Sequence, residues 1–98
     1  MHKKQTPSHL QSILWSIGTD QLDLDKNRNY IIHQVLMYGQ LSDINWLFEQ
    51  YPHQEIQQVF LEHPQPIYTK PALNFLTKFI LNLTPQQIDW SKYIKHVS

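Results

Sequence analysis

Apolar residues recur at spacings of three and four through most of this 98-residue chain, and that spacing limits the fold more than any other feature. In an α-helix it places the apolar side chains on one face, whereas a half-buried strand alternates at every second residue. No six residues between turn signals alternate in this way, and twelve Leu and ten Ile stand against three Val. We therefore predict an all-α protein, a single compact domain of five or six short helices.

The length fits one domain, so we expect residues 1–98 to form a single helical domain with its core at about residues 8–95. Hydrophobic residues make up 41% of the chain, which is enough for a globular core. The chain has no Cys, and no apolar run is long enough for a signal peptide or a membrane span. We expect a cytoplasmic protein that does not enter a membrane.

Turn and cap residues divide the apolar pattern into segments. Asp23 or Asp25 is predicted to cap the second helix, and Gly39 to end it in the left-handed conformation. Ser42 and Asp43 are predicted to begin the third helix. Thr69 is predicted to cap the fifth helix, and the run from Thr84 to Gln87 has the shape of a capping box before a sixth. The predicted helices cover residues 6–17, 26–38, 43–51, 54–63 and 70–83, with a short last helix through Ile88, Trp90 and Ile94.

The spacing also predicts which side chains face the core. Ile44, Leu47, Phe48 and Tyr51 form the inner face of the third helix, with Trp46 at its edge. For the other segments, the predicted inward residues are, in chain order, Leu10, Ile13, Leu14 and Ile17 in the first helix, Leu22 and Leu24 in the turn, Ile31, Ile32, Val35 and Leu36 in the second helix, Ile56, Val59 and Phe60 in the fourth, and Leu73, Leu76, Phe79, Ile80 and Leu83 in the fifth.

The sequence shows no constellation of catalytic or metal-binding residues. It has no Gly-rich phosphate loop and no nucleophile motif, and no two of its six His are four residues apart. Asp23, Asp25, Asn27 and Asn29 alternate as in a calcium loop, but Arg28 stands where that loop needs Gly. We expect no enzymatic activity, no cofactor and no metal.

The stretch from His33 to Phe60 has the outline of helix, turn and helix, which DNA-reading domains share with modules that bind only proteins. Lys and Arg total eight, as do Asp and Glu, and phosphate binding depends on clustered cations. If the fourth helix were the reading helix, Gln54, Gln57 and Gln58 would meet adenine edges. A DNA-binding regulator is therefore the alternative to a protein-binding module. The zero net charge also permits a homo-oligomer.

The aromatic residues beside Gly39 are the best candidates for a partner surface, because interfaces use aromatic anchors with a polar rim. Tyr38 ends the second helix, and Trp46 is offset from the inner face of the third. Gln34 is a further member of the predicted rim. In the rival interpretation, Trp46 is buried between the third and fourth helices. The predicted partner-binding residues are Tyr38, Gln40, Asp43, Trp46, Glu49 and Gln50.

About half of the chain carries a combination of short motifs: Leu14-Trp15, Leu22-Asp23, Ile32, Val35-Leu36, Gly39, Asp43, Trp46-Leu47-Phe48, Tyr51, Glu55-Ile56 and Val59. Together these motifs resemble a family of small bacterial helical domains of unknown function, often encoded beside nucleotidyltransferase toxins of the AbiEii type. The resemblance implies an antitoxin-like protein partner of such a toxin, in a toxin–antitoxin or phage-defence locus. The same residues would also serve helix packing alone, with Gly39 at a turn and Asp43 as a cap.

Overall fold

The computed structural model describes residues 10–14 and 23–95. The chain divides into two units, Met1–Gln50 and Tyr51–Ser98. Over the described residues the structure is mostly helical and contains no strand, which confirms the all-α prediction there. Within these residues the helices of six or more residues number four, slightly fewer than the predicted five or six. None of the helices in this part of the chain is long and apolar enough to cross a bilayer.

The first unit contains α1 (Leu10–Ile13), α2 (Arg28–Tyr38) and α3 (Leu41–Gln50). Helix α2 packs against both of the others. Six consecutive residues of α2 are buried, from Ile31 to Leu36, as expected for a helix covered on more than one side. The rest of the predicted first helix lies outside the described residues. Among the residues of this unit that the structure describes, the other buried apolar ones are Leu10, Ile13, Leu14, Ile44, Trp46 and Leu47.

A buried amide joins α1 to α2. Gln34 is 7% exposed, and its Nε2 donates a hydrogen bond of 2.8 Å to the carbonyl oxygen of Ile13, the last residue of α1. This oxygen has no partner within its own short helix. The prediction that Gln34 belongs to an exposed polar rim is therefore wrong, because the side chain is used inside the unit.

A capped turn precedes α2. Oδ1 of Asp23 accepts hydrogen bonds from the backbone N–H groups of Asp25 and Lys26, at 2.8 and 3.0 Å. In return, Oδ1 of Asn27 accepts from the N–H of Asp23 at 2.9 Å. Of the two acids predicted to cap the second helix, Asp23 thus caps this turn, and α2 itself starts afterwards. Leu24 lies in the turn and is 36% exposed, so its predicted inward position is wrong.

The second unit contains α4 (His53–Glu62) and α5 (Lys70–Phe75), and α5 continues directly into a π-helix (Leu76–Ile80). Two 3₁₀ turns, Pro85–Gln87 and Trp90–Lys92, replace the predicted last helix. As predicted, Oγ1 of Thr69 caps α5, accepting from the N–H of Ala72 at 3.3 Å, and Oε1 of Gln87 accepts from the N–H of Thr84 at 2.8 Å. Ile56, Val59 and Phe60 are buried, also as predicted.

The π-helix changes which side chains face the core after Leu76. The N–H of Leu81 donates to the carbonyl oxygen of Leu76, five residues earlier, at 2.7 Å. A π turn holds more residues than an α turn, so the face rotates: Leu81 is fully buried and Phe79 is 69% exposed. The predicted inward position of Phe79 is wrong for this reason. Asn82, at φ 54, then ends the helix in the left-handed conformation, which Asn tolerates better than most residues.

Three aromatic rings form the centre of the second unit. The Phe60 and Tyr93 rings stack with centroids 4.7 Å apart, and the Tyr68 ring meets Phe60 edge-on at 5.6 Å. The Tyr93 hydroxyl donates to the carbonyl oxygen of Phe60 at 2.6 Å. Burial, followed by the charge of Asp89, raises the pKa of Tyr93 to about 12. An isolated parallel bridge pairs Tyr68 with Ile94, which lies in the segment after the last 3₁₀ turn.

Candidate partner-binding site

Two residues, Gly39 and Gln40, connect α2 to α3. Gly39 has φ −79 and ψ 156, which is extended backbone open to any residue. Its N–H donates to the carbonyl oxygen of Val35 at 2.8 Å. The prediction of a left-handed Gly39 is therefore wrong, and among the described residues the positive φ belongs to Asn82 instead.

Gly39 is needed here because the chain passes close to its own helix. A Cβ added to Gly39 would lie 2.6 Å from the carbonyl oxygen of Val35 and 2.9 Å from Cβ of Asp43. Both distances are far below ordinary van der Waals contact, and one of the two atoms is backbone. The missing side chain lets the start of α3 lie against the end of α2. This turn therefore needs Gly because of the close approach of the backbone, and not because of a positive φ.

Asp43 fixes the start of α3 from inside the unit. The residue is 1% exposed, and its Oδ2 accepts a hydrogen bond of 2.8 Å from the N–H of Gln40. The carbonyl oxygen of Gln40 accepts from the N–H groups of Asp43 and Ile44, at 2.9 and 3.0 Å. Asp43 is thus the third helical residue and acts as the acid of a capping box. Helix α3 begins at Leu41, two residues before the predicted start at Asp43, and the Asp43 side chain is not presented to a partner.

Of the six residues predicted for partner binding, Tyr38, Gln40 and Glu49 are exposed, and Gln50 is half-buried. Tyr38 is 47% exposed, and Leu41, which the sequence analysis did not select, is 64% exposed. No sequence signal marks Leu41, because its spacing of three residues from Ile44 is also that of a core residue. We call the exposed set the corner surface; it consists of Tyr38, Gln40, Leu41, Asn45 and Glu49.

Trp46 does not belong to the corner surface. It is 5% exposed, and its indole N–H has no hydrogen-bond partner within the described part of the chain. Trp46 is buried, as the rival interpretation expects, whereas its position between the third and fourth helices stays a prediction. The predicted site therefore divides into three exposed residues, the half-buried Gln50, and the buried pair Asp43 and Trp46.

The charge of the corner surface is negative. Residues 38–50 contain Asp43 and Glu49 and no Lys or Arg. Because Asp43 is buried, Glu49 is the exposed acid of this stretch. Leu41, Asn45 and Glu49 follow one another at intervals of four, so they share one side of α3. That side combines an apolar anchor with an acid about two helical turns away.

The exposed side of α4 gives little support to the DNA-binding alternative. Of the three glutamines predicted to meet adenine edges, Gln57 uses its Nε2 to donate to the carbonyl oxygen of Leu81. Gln58 donates to Oε2 of Glu62 at 3.2 Å. The helix also carries Glu55 and contains no Lys or Arg to contact phosphates.

Comparison with known proteins identifies one family. A family model described as a family of unknown function (DUF6922) matches residues 10–60. The match includes the whole corner surface and ends within α4. No curated protein and no solved structure matches the chain. Over residues 10–14 and 23–95, no three His, Cys, Asp or Glu lie close enough together to hold a metal ion.

Proposed function

Because the chain belongs to the DUF6922 family, whose function is unknown and whose model covers just over half of its length, we propose a function on the basis of its surface. The chain is a protein-binding module, the antitoxin-like partner of a nucleotidyltransferase-type toxin. The exposure of Tyr38 and Leu41 on either side of the Gly39–Gln40 connection carries the binding part of this proposal. The resemblance of the sequence motifs to toxin-linked domains suggests the class of partner.

Exposed apolar side chains bind a partner well when they are held in place beforehand. The backbone that carries Tyr38 and Leu41 is constrained by the close approach at Gly39 and by the capping bond from Gln40 to Asp43. A partner therefore gains the burial of both side chains without first ordering the backbone that carries them. Tyr in particular is enriched among the residues that dominate binding energy at interfaces.

The charge of the corner surface suits the proposed partner. An enzyme that transfers nucleotides must hold phosphate groups, so the groove around its active site is expected to be basic. Glu49 would meet that groove with the opposite charge, while Tyr38 and Leu41 bury apolar surface beside it. Occupation of the groove would exclude the toxin's substrate, which gives a simple physical basis for inhibition.

The proposal is tested by co-expressing the chain with a nucleotidyltransferase-type toxin encoded by a neighbouring gene. Wild-type chain is expected to co-purify with the toxin and to restore the growth of cells that express it. A variant with Tyr38→Ala and Leu41→Ala is expected to do neither while keeping its fold. Leu24→Ala is the matched control, because Leu24 is also an exposed leucine but lies outside the corner surface.

Two outcomes would refute the proposal. In one, no adjacent gene encodes such an enzyme or the toxin fails to co-purify with the wild-type chain. In the other, the doubly substituted variant protects cells as well as the wild type does, which would move the binding site away from the corner surface. Circular dichroism of each purified variant establishes that a lost effect is not caused by unfolding.

A further inference from the structure

The second unit carries another exposed apolar surface, on α5 and the π-helix. Phe75 is 44% exposed and Phe79 is 69% exposed, and their ring centroids are 5.6 Å apart. Two lysines, Lys70 and Lys78, are exposed on the same helical stretch. We call Lys70, Phe75, Lys78 and Phe79 the aromatic–basic face.

Between Glu62 and Asp89 the charged side chains of the sequence have one sign. No Asp or Glu occurs between Glu62 and Asp89, so both lysines lie in a stretch without acidic neighbours in sequence. Paired exposed phenylalanines are unusual on a protein surface unless something covers them. The π turn brings Leu81 into the core, and Phe79 lies outside it.

We propose that the aromatic–basic face binds the corner surface of a second copy of this chain. The two surfaces complement each other in apolar area and in charge. Phe75 and Phe79 would pack on Tyr38 and Leu41, and a lysine of the face would lie near Glu49. Contact between two identical aromatic–basic faces would instead bring lysines together, which opposes it.

A contact between two different surfaces is head-to-tail, so it closes into a ring or extends into a chain of copies. The zero net charge of the protein removes the general repulsion that would hold copies apart. Self-association would occupy the same corner surface that the proposed toxin uses, so the two would compete. The inference does not depend on the toxin, because self-association is measured on the chain alone.

The test is sedimentation of two complementary charge variants of the full chain, alone and mixed. Glu49→Lys makes both surfaces basic, and Lys70→Glu with Lys78→Glu makes both acidic. Wild-type chain is expected to show a mass that rises above 11.8 kDa with concentration. Each variant alone is expected to stay at the monomer mass, and an equimolar mixture is expected to associate again, since each variant then meets a surface of opposite charge. Association should weaken as salt is added.

Three results would overturn the inference. A wild-type chain that remains monomeric up to its solubility limit would do so. So would a Glu49→Lys variant that associates as well as the wild type, because the aromatic–basic face would then bind something other than the corner surface. A mixture that stays monomeric would exclude charge pairing between the two surfaces. If a charge variant does not fold, Phe79→Ala, at a 69% exposed position, replaces it and is expected to abolish association.

Discussion

The corner between α2 and α3 depends on two residues that contribute in opposite ways. Gly39 contributes the absence of a side chain, which allows the backbone at the start of α3 to lie close to the end of α2. Asp43 contributes an acceptor for the N–H of Gln40, which has no partner within the helix. Together they hold Tyr38 and Leu41 in fixed positions, so single-residue changes inside the corner are expected to alter stability as well as binding.

Gly39→Ala is expected to lower the free energy of unfolding by about 1–3 kcal/mol, as overpacking of a tight site does. The added Cβ would lie 2.6 Å from the carbonyl oxygen of Val35. That oxygen cannot retreat without lengthening its hydrogen bond to Gly39 itself. Urea unfolding measures the change. Asn45→Ala, at an exposed position of α3, is the control and should remain within about 0.5 kcal/mol of wild type; an equally unchanged Gly39→Ala would show that the corner relaxes freely.

Tyr93 is expected to make the protein less stable as the pH rises above 10. Its pKa is raised from the ordinary value of 10.0 to about 12 in the folded chain, chiefly by burial. In this window the unfolded chain releases a proton that the folded chain retains, so the free energy of unfolding falls with rising pH. Tyr93→Phe should flatten this fall, although it lowers stability at neutral pH by removing the bond to Phe60.

The measurement for Tyr93 is urea unfolding at several pH values between 9 and 12, compared between wild type, Tyr93→Phe and Tyr38→Phe. Tyr38 is 47% exposed and serves as the control for a tyrosine on the surface. If wild type and Tyr93→Phe lose stability in parallel across this range, the Tyr93 hydroxyl does not titrate as the structure indicates.

At the scale of the elements, the sequence predicts the helices well where caps mark their ends. It predicts them less well where packing determines which side chains are buried. Thr69 and the Thr84–Gln87 box are local signals, because side chain and backbone partner lie within a few residues. The exposure of Phe79 is different, since it follows from a π turn that brings Leu81 into the core. Periodicity assumes an unbroken α-helix, so it cannot foresee a shift of this kind.

Gln34→Ala is expected to loosen α1 from α2. The change removes the buried donor to the carbonyl oxygen of Ile13 and should cost about 1–3 kcal/mol, the range for leaving a buried polar group unsatisfied. The amide of Leu14, which bonds to the carbonyl oxygen of Leu10 within this segment, should exchange with solvent faster. Hydrogen exchange measured on wild type, Gln34→Ala and the exposed control Gln54→Ala tests this. Unchanged protection of the Leu14 amide in Gln34→Ala would mean that other contacts hold α1.

At the scale of the whole molecule, the candidate site was predictable in outline only. The sequence placed it beside Gly39 and selected Tyr38 and Glu49, which are exposed. It also selected Asp43 and Trp46, because spacing alone does not separate a polar or aromatic residue at the edge of a helix face from one that is buried. Their burial depends on packing within the folded chain.

Binding to duplex DNA is expected to be weak at physiological salt, at or beyond the soft end of the usual range of about 10⁻⁴ to 10⁻⁶ M for non-specific complexes. The chain has equal numbers of acidic and basic residues, and α4 has no Lys or Arg. A gel shift on the promoter of the chain's own gene measures this. A tight and salt-sensitive shift would favour the DNA-binding alternative and would make Gln54 a candidate for contact with adenine edges.

The central claim is that the corner surface binds the toxin, and the affinity of purified toxin for wild-type chain and for the Tyr38→Ala, Leu41→Ala variant tests it most directly. Loss of two anchors, each worth more than about 1 kcal/mol, should weaken binding by tenfold or more. Because Tyr38 is 47% exposed and Leu41 is 64% exposed, the melting temperature should change little. Titration calorimetry that finds equal affinities for the two folded proteins would contradict the claim.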